Sequence, residues 1–350
     1  MHDLNVIILR AITTQQKRLT IRNKQLYYLP NNIEFLNWLV VLDIRSNNLT
    51  NLPNLPKTLE ILNLGHNWFT TIPDSIILLT SLKSISMYSN QLQTIPNTFF
   101  EHLINLEYLN LNHNYINTLD NSIANLIHLK YFSISHNQLT MLPESMCSML
   151  NKLEYFNLGY NQLLMLPLNF GLLQNMKTLI LHKNFLTRLP ETFGQLNSLK
   201  YLDLAGNNLQ LLPCNFKQLK LTEFYTEANP FTRYDLFPVI YEENILTLKE
   251  IVLRKLSHLG LINIGYRNLW LENIIGTKLW QSAGYCALCR QPFVTWWVEG
   301  VQFVERKQLI KSKKLEMNKK FSEILYPIRT LFCSYQCLKS SENCYALGVG

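Results

Sequence analysis

The chain has 350 residues, of which 47% are hydrophobic and 16% charged, a globular composition that excludes an intrinsically disordered protein. Its net charge of +8 is uneven, because residues 1–230 carry 16 Lys and Arg against 14 Asp and Glu, whereas residues 231–350 carry 16 against 10. No stretch approaches the roughly 18 to 20 apolar residues of a membrane span, and the apolar stretch from Leu4 to Leu9 is too short for a signal peptide. We therefore expect a protein without membrane contact, located in the cytoplasm, the nucleus or both.

A repeated pattern of about 23 residues fills the chain up to residue 231. In the stretch from Leu106 to His128, Leu109 and Leu111 alternate with polar residues, as in a short half-exposed strand. Asn114 follows at the point where the chain is expected to turn away, and its side chain can bond backbone groups there. The same turn position recurs at intervals of 20 to 24 residues, at Lys24, Asn47, Asn67, Asn90, Asn114, Asn137, Asn161, Asn184 and Asn207.

Eight of these nine copies continue with Leu-Pro or Ile-Pro, the apolar residue standing five places after the turn. Proline lacks a backbone donor, so it suits a non-strand segment behind the sheet. The pattern resembles the leucine-rich repeat. That resemblance implies an α/β solenoid, curved, with a parallel sheet on the concave face and irregular or helical segments behind it.

The solenoid is predicted to span residues 1–231, with about nine full repeats between end caps. The first copy departs from the pattern because Lys24 replaces Asn, and the last departs in the stretch from Leu221 to Phe231, which keeps Leu221, Phe224 and Asn229. The short repeat before Asn67 is predicted to have a trimmed convex segment and an intact core.

The strand alternation predicts which side chains face outward on the concave sheet, and these form the candidate binding face for a target protein. Tyrosine supplies a large contact area with few rotors to freeze, while Asn adapts its hydrogen bonding. The alternative is that these aromatics only stack between adjacent strands and stabilise the sheet. The His positions are interpreted as solvated turn residues rather than as metal ligands. The candidate residues are Tyr108, Tyr131, Tyr155, Tyr201, Asn110, Asn157, His113 and His136.

The segment 232–280 is predicted to be a helical linker. Leu248, Val252 and Leu256 fall at helical spacing on one apolar stripe, which either seals the end of the solenoid or docks in a partner's groove. The spacing resembles the BC box by which ubiquitin ligase receptors bind elongin C, and that resemblance implies the same role for these three residues. Val252 departs from the cysteine usual at its position. Asn268 to Trp280 lacks the proline typical of the cullin-selecting box.

The third predicted region, residues 281–350, is a small β-rich module resembling a zinc ribbon. The pairs Cys286 with Cys289 and Cys333 with Cys337 have a spacing at which four thiolates can converge on a structural zinc ion. The alternative is a metal-free module with reduced, partly buried cysteines. The basic stretch 306–320 is interpreted as a solvated loop rather than a nucleic-acid contact.

In their order, these parts resemble the leucine-rich repeat substrate receptors of elongin B/C–cullin–RING ubiquitin ligases, of the leucine-rich repeat protein one type. The resemblance implies a non-catalytic subunit that holds a target on the repeats and binds elongin B/C, and through it a cullin. The alternative function is an intracellular signalling scaffold whose tail is a zinc-stapled cap. No phosphate-binding loop, nucleophile elbow or carboxylate pair is present in the repeats, so we expect no catalytic residue there.

Overall fold

The structure is a computed structural model and describes residues 2–231, 284–285, 292–293, 298–310, 325–332 and 344–349. The chain divides into two compact units. The first comprises residues 1–209, 218–229 and 310–312, and the second comprises residues 210–217, 230–309 and 313–350.

The first unit is built on a ten-stranded parallel sheet in which the strands lie in the order of the sequence. Each strand has three residues, and the middle residue is buried, so that a continuous row of apolar side chains runs behind the sheet. This confirms the predicted parallel sheet of a leucine-rich repeat solenoid. The strands are β1 (Arg18–Thr20), β2 (Val41–Asp43), β3 (Ile61–Asn63), β4 (Ser84–Ser86), β5 (Tyr108–Asn110), β6 (Tyr131–Ser133), β7 (Tyr155–Asn157), β8 (Thr178–Ile180), β9 (Tyr201–Asp203) and β10 (Glu223–Tyr225).

Short helices connect the strands. Five repeats place a proline at the N-cap, where its extended backbone starts the helix without needing a donor, as the Leu-Pro and Ile-Pro positions predict. The α-helices among these are α2 (Asp74–Ile77), α3 (Asn97–His102) and α4 (Glu144–Met149), and the 3-10 helices are Asn31–Phe35, Asn121–Asn125, Phe170–Leu172, Glu191–Gln195 and Cys214–Gln218.

The turn asparagines form a buried ladder along one end of the strands. The Asn114 Nδ2 donates to the carbonyl oxygens of Met87 and Leu111, each at 3.0 Å, and the Asn114 Oδ1 accepts from the Leu92 N–H at 3.0 Å. Each asparagine thereby joins its own repeat to the preceding one. The same arrangement recurs at Asn47, Asn67, Asn90, Asn137, Asn161, Asn184, Asn207 and Asn229.

The short repeat between β2 and β3 has no helix, while Leu52, Leu55 and Leu59 remain buried. The predicted trimmed segment with an intact core is therefore confirmed.

Each end of the array has an element beyond the nine turn positions with Lys24 or Asn. At the C-terminal end β10 adds a tenth strand, and Asn229 bonds backbone groups as the other ladder asparagines do. At the N-terminal end, helix α1 (His2–Thr14) contacts the 3-10 helix Asn31–Phe35 and buries Ile8 and Ala11. The sequence analysis predicted no helix in this part of the chain.

The described elements of the second unit are β11 (Gly284–Tyr285), β12 (Pro292–Phe293), β13 (Val298–Glu305), helix α5 (Arg306–Leu309), β14 (Leu325–Phe332) and β15 (Cys344–Val349). Three of them form an antiparallel sheet in the order β14, β13, β15, and β11 and β12 form a separate two-stranded ladder. Within this unit Leu212 bonds to β14, because its N–H donates to the Pro327 carbonyl at 2.9 Å and its carbonyl accepts from the Arg329 N–H at 2.8 Å.

Several predicted features lie outside the described residues. These are the whole 232–280 linker with its box helix, most of the basic stretch 306–320, and all four candidate zinc ligands. Among the helices that the structure does describe, none combines the length and the apolar character needed to cross a bilayer.

Candidate functional site

The outward side chains of the ten-stranded sheet form one continuous surface, called here the sheet face. They stand six and four residues before each turn position, on either side of the buried middle residue of a strand, and two residues before the turn position, where the alternation continues past the strand end. Because the strands pair in register, residues at the same position in successive repeats become direct neighbours. The sheet face is the surface that sequence analysis predicts to be concave.

Three of the four predicted tyrosines form a stack in the middle of the sheet face. The Tyr108 and Tyr131 rings lie 4.3 Å apart with planes 11° apart, and the Tyr131 and Tyr155 rings lie 4.3 Å apart with planes 4° apart. Tyr201 is separated from this stack by Thr178 and instead contacts Tyr225, at 5.6 Å and a 43° tilt. The cross-strand stacking considered as the alternative is therefore present in the structure.

The hydroxyls of Tyr108 and Tyr131 remain protonated at neutral pH. Partial burial raises the pKa of Tyr108 above its ordinary value, and the neighbouring Tyr131 raises it further. Burial and Tyr155 raise the pKa of Tyr131 in the same way. Tyr108 and Tyr131 thus offer half-buried neutral phenols that can donate or accept hydrogen bonds.

The two predicted asparagines on the sheet face also support the backbone. The Asn110 Oδ1 accepts from the Asn112 N–H at 3.1 Å, and the Asn157 Oδ1 accepts from the Gly159 N–H at 3.0 Å. These bonds hold the chain where each strand ends. The asparagine side chains are therefore partly structural and are less adaptable than their sequence positions indicate.

The predicted histidines lie at the turns, where His113 is exposed and His136 half-buried, and they also stack across neighbouring repeats, which was not predicted. His113 and His136 lie 4.1 Å apart, and His136 lies 4.1 Å from Tyr160, with planes 14° apart in both contacts. All three residues adopt a positive φ of 53 to 54°, which aims their side chains along one row. Burial, together with the nearby His113 and His182, lowers the pKa of His136, so this imidazole is neutral at pH 7.

An ion cluster at the N-terminal end of the sheet face was not predicted. The Asp43 Oδ2 accepts from Arg22 at 2.5 Å and lies 3.3 Å from Arg45 Nη2. A hydrogen bond between Arg45 and Tyr88 raises the pKa of this guanidinium, and Asp43 adds to the effect. The cluster could have been predicted from the sequence, because Arg22 and Arg45 occupy the same repeat position 23 residues apart.

A second unpredicted pair lies towards the C-terminal end of the sheet. The His182 Nδ1 is 2.9 Å from the Asp203 Oδ2, and the Asp203 Oδ1 accepts from the Ala205 N–H at 3.0 Å. The His182 ring also meets the Tyr160 ring edge-on at 5.1 Å. The imidazole is thus oriented from two sides and continues the row of stacked rings.

Alternating acidic and basic side chains form a row along the start of the strands, at the position seven residues before each turn. Lys83 pairs with Glu60 at 3.0 Å, Lys130 with Glu107 at 2.6 Å, and Lys177 with Glu154 at 2.6 Å. Lys130 also lowers the pKa of the Glu107 carboxyl. These exposed pairs orient side chains at the rim of the sheet face and contribute little to stability.

No group of three or more His, Cys, Asp or Glu suited to a metal ion occurs among the residues that the structure describes. The candidate ligands Cys286, Cys289, Cys333 and Cys337 lie outside this part of the chain, as do Leu248, Val252 and Leu256.

The leucine-rich repeat family model matches residues 80–139 and 167–226, and a second leucine-rich repeat model matches residues 58–79. Leucine-rich repeat-containing protein 69 of Xenopus laevis is 34% identical over 127 residues, which cover 36% of this chain and 34% of that protein. The mouse protein of the same name is 35% identical over 132 residues, covering 36% of this chain and 35% of its own length. The matched region thus spans about a third of the length of these curated relatives.

Two solved structures are also similar. A leucine-rich repeat protein of Leptospira interrogans aligns over 61% of this chain and 79% of its own, with 27% identity and a TM-score of 0.39. An internalin of Listeria monocytogenes aligns over 52% of this chain and 53% of its own, with 24% identity and a TM-score of 0.44. The family matches identify residues 58–139 and 167–226 as leucine-rich repeats, and the ten-stranded parallel sheet continues the same strand pattern from Arg18 to Tyr225.

Proposed function

We propose that the chain is a non-catalytic protein-binding subunit whose sheet face holds a target protein. The observation that carries this proposal is the half-exposed stack of Tyr108, Tyr131 and Tyr155 on the sheet face. Stacking uses the flat faces of these half-exposed rings and leaves their edges available for contact with a partner. The stabilising and binding roles of the stack are therefore compatible.

We further propose that Leu248, Val252 and Leu256 bind elongin C and thereby connect the target to a cullin–RING ubiquitin ligase. The support for this role is the helical spacing of the three residues and their resemblance to a BC box. In this reading the chain provides recognition, and ubiquitin transfer takes place on other subunits.

Affinity purification of the full chain tests both parts. Leu248→Asp combined with Leu256→Asp places two charges in the proposed apolar contact, so recovery of elongin B/C should fall at least about tenfold. Leu78→Asp combined with Leu164→Asp is the matched control, because both leucines are more than half exposed in the repeats. Elongin recovery that is equal in wild type and the Leu248 variant would refute the ligase role and favour the signalling scaffold.

The same purification reports on the sheet face. Tyr131→Ala combined with Tyr155→Ala should keep elongin recovery but lose the target proteins that wild type retains. Tyr115→Ala is the control, since Tyr115 is an exposed tyrosine that follows the ladder asparagine and lies outside the sheet. Identical target sets for these variants would contradict binding through the tyrosine stack.

We also propose that Cys286, Cys289, Cys333 and Cys337 bind one structural zinc ion. A set of four thiolates suits zinc, and of the three other cysteines two, Cys147 and Cys214, belong to the repeats, while Cys344 begins β15. Cys147 illustrates the contrast, because burial raises the pKa of its thiol to about 12 and keeps it protonated.

Metal analysis of the purified chain should find about one equivalent of zinc per molecule. Cys286→Ser combined with Cys333→Ser should reduce the bound zinc severalfold, because each cysteine pair then keeps only one thiolate. Cys147→Ala should leave the zinc content unchanged. Less than about half an equivalent in the wild-type chain would argue against the four-cysteine site.

A further inference from the structure

Two arginines of the sheet face share a single carboxylate. Arg22 and Arg45 both approach the Asp43 Oδ2, at 2.5 and 3.3 Å. The Asp43 side chain is only 10% exposed, whereas those of Arg22 and Arg45 are 44% and 31% exposed. One carboxylate can neutralise only one guanidinium, so the cluster keeps a net positive charge that faces solvent.

The surroundings add to this charge. Between residues 17 and 45 the chain carries five basic residues, Lys17, Arg18, Arg22, Lys24 and Arg45, against the acidic residues Glu34 and Asp43. Glu34 belongs to the 3-10 helix Asn31–Phe35 and not to a strand. The first two strands therefore present a basic surface that would attract and orient an acidic ligand.

The guanidiniums are held in place before any ligand arrives. Asp43 pairs with both Arg22 and Arg45, and Arg45 also bonds to Tyr88, which lies two repeats further along the sheet. A guanidinium has five N–H donors in a planar fork, so each arginine keeps donors for a second carboxylate. Prior positioning reduces the entropy that binding would otherwise cost.

The basic cluster and the tyrosine stack lie on the same sheet. Strand β2, which carries Asp43, is separated from β5, which carries Tyr108, by three strand intervals. At about 4.8 Å per interval this is about 14 Å, and an extended peptide covers that distance in about four residues at 3.3 Å each. A single extended segment lying across the strands can therefore reach both sites.

We propose that the sheet face binds an extended acidic segment of a partner protein, with its Asp or Glu carboxylates on Arg22 and Arg45. Apolar or aromatic side chains about four or five residues away contact the stack of Tyr108, Tyr131 and Tyr155. This inference rests on the proposed role of the sheet face in target binding and specifies the kind of segment recognised.

The test uses a random twelve-residue peptide library displayed on phage and selected on the full chain. Selected peptides should contain acidic residues four or five positions from an apolar or aromatic residue. A labelled synthetic copy of the most enriched peptide should bind about fivefold more weakly to Arg22→Gln, because a charge-assisted hydrogen bond is lost. Raising the salt concentration should weaken binding to wild type.

Asp43→Asn is the decisive companion variant. Both Arg22→Gln and Asp43→Asn abolish the Arg22–Asp43 ion pair, so a purely structural effect would weaken peptide binding in both. The proposal requires opposite changes, because Asp43→Asn keeps both guanidiniums and removes a competing negative charge, an effect that we expect to outweigh the loss of positioning by Asp43. Equal weakening in the two variants, with both folded by circular dichroism, would overturn it.

The remaining outcomes separate this inference from the proposed function. Selected peptides without acidic residues, bound in a way that Tyr131→Ala with Tyr155→Ala abolishes, would overturn the acidic preference and leave the sheet face as the binding surface. Binding that neither the Arg22 nor the tyrosine variants change, or no enriched peptide, would count against both. The proposal would be overturned in favour of nucleic acid if oligothymidylate displaced the peptide, bound wild type more tightly than the peptide does, and lost that affinity in Arg22→Gln.

Discussion

Asn137→Ala is expected to lower the free energy of unfolding by about 2 to 4 kcal/mol. The Asn137 Oδ1 accepts from the Ile116 N–H at 2.9 Å, and its Nδ2 donates to the carbonyls of Leu111 at 3.0 Å and Ile134 at 3.1 Å. Alanine leaves the buried Ile116 N–H unpaired, which costs about 1 to 3 kcal/mol. The Leu111 and Ile134 carbonyls keep their bonds from Asn114 and Asn161, so each loses only its second bond, worth about 0.5 to 1.5 kcal/mol.

Urea denaturation followed by circular dichroism measures the effect, and hydrogen exchange at the Ile116 amide locates it. Asn125→Ala is the matched control because Asn125 is exposed at the end of a 3-10 helix, where substitutions usually change stability by less than about 0.5 kcal/mol. Similar losses in the two variants would show that the ladder asparagine is not a structural bridge between repeats.

The second large effect is expected for Phe156→Ala, at about 3 to 5 kcal/mol. Phe156 is the fully buried middle residue of β7 and lies 5.1 Å from Phe132 of β6, with ring planes 14° apart. Removing the ring forfeits its burial and leaves a cavity against the neighbouring repeat, which a sheet paired on both sides cannot readily close.

Thermal and urea unfolding of Phe156→Ala should be compared with that of Phe185→Ala. Phe185 is 51% exposed and follows the ladder asparagine Asn184, so its loss should change stability by less than about 0.5 kcal/mol. Because repeats contact mainly their neighbours, the weakening at Phe156 should appear first in amide exchange of β6 and β7. An unchanged exchange rate there would contradict this account.

The sequence was sufficient to predict the parallel sheet, the turn asparagines and the position of the prolines. These features depend on the order of residues within one repeat, and a period observed nine times fixes that order strongly. The missing helix before Asn67 was predictable for the same reason, since a repeat three residues short has no room for it while its leucines still continue the core.

The sequence analysis was weaker wherever a side chain's role depends on the next repeat. Asn110 was assigned to recognition, but its Oδ1 also accepts a hydrogen bond from the Asn112 N–H. The stacking of His113 on His136, at 4.1 Å, was not predicted. Helix α1 was missed because it has no repeat to compare with. The arginine pair could have been found by comparing residues one repeat apart.

The row of paired charges at the rim of the sheet restricts how repeats can be gained or lost during evolution. Its signs alternate over six successive repeats, from Glu60 to Lys177, so each of the four inner charges lies between two of opposite sign. Deleting one repeat from this part of the gene would place Glu beside Glu or Lys beside Lys, whereas deleting two would restore the alternation. Insertion or deletion of repeats here therefore disturbs the charge pairing least when two repeats are gained or lost together. The backbone itself repeats once every 23 or 24 residues in this part of the chain.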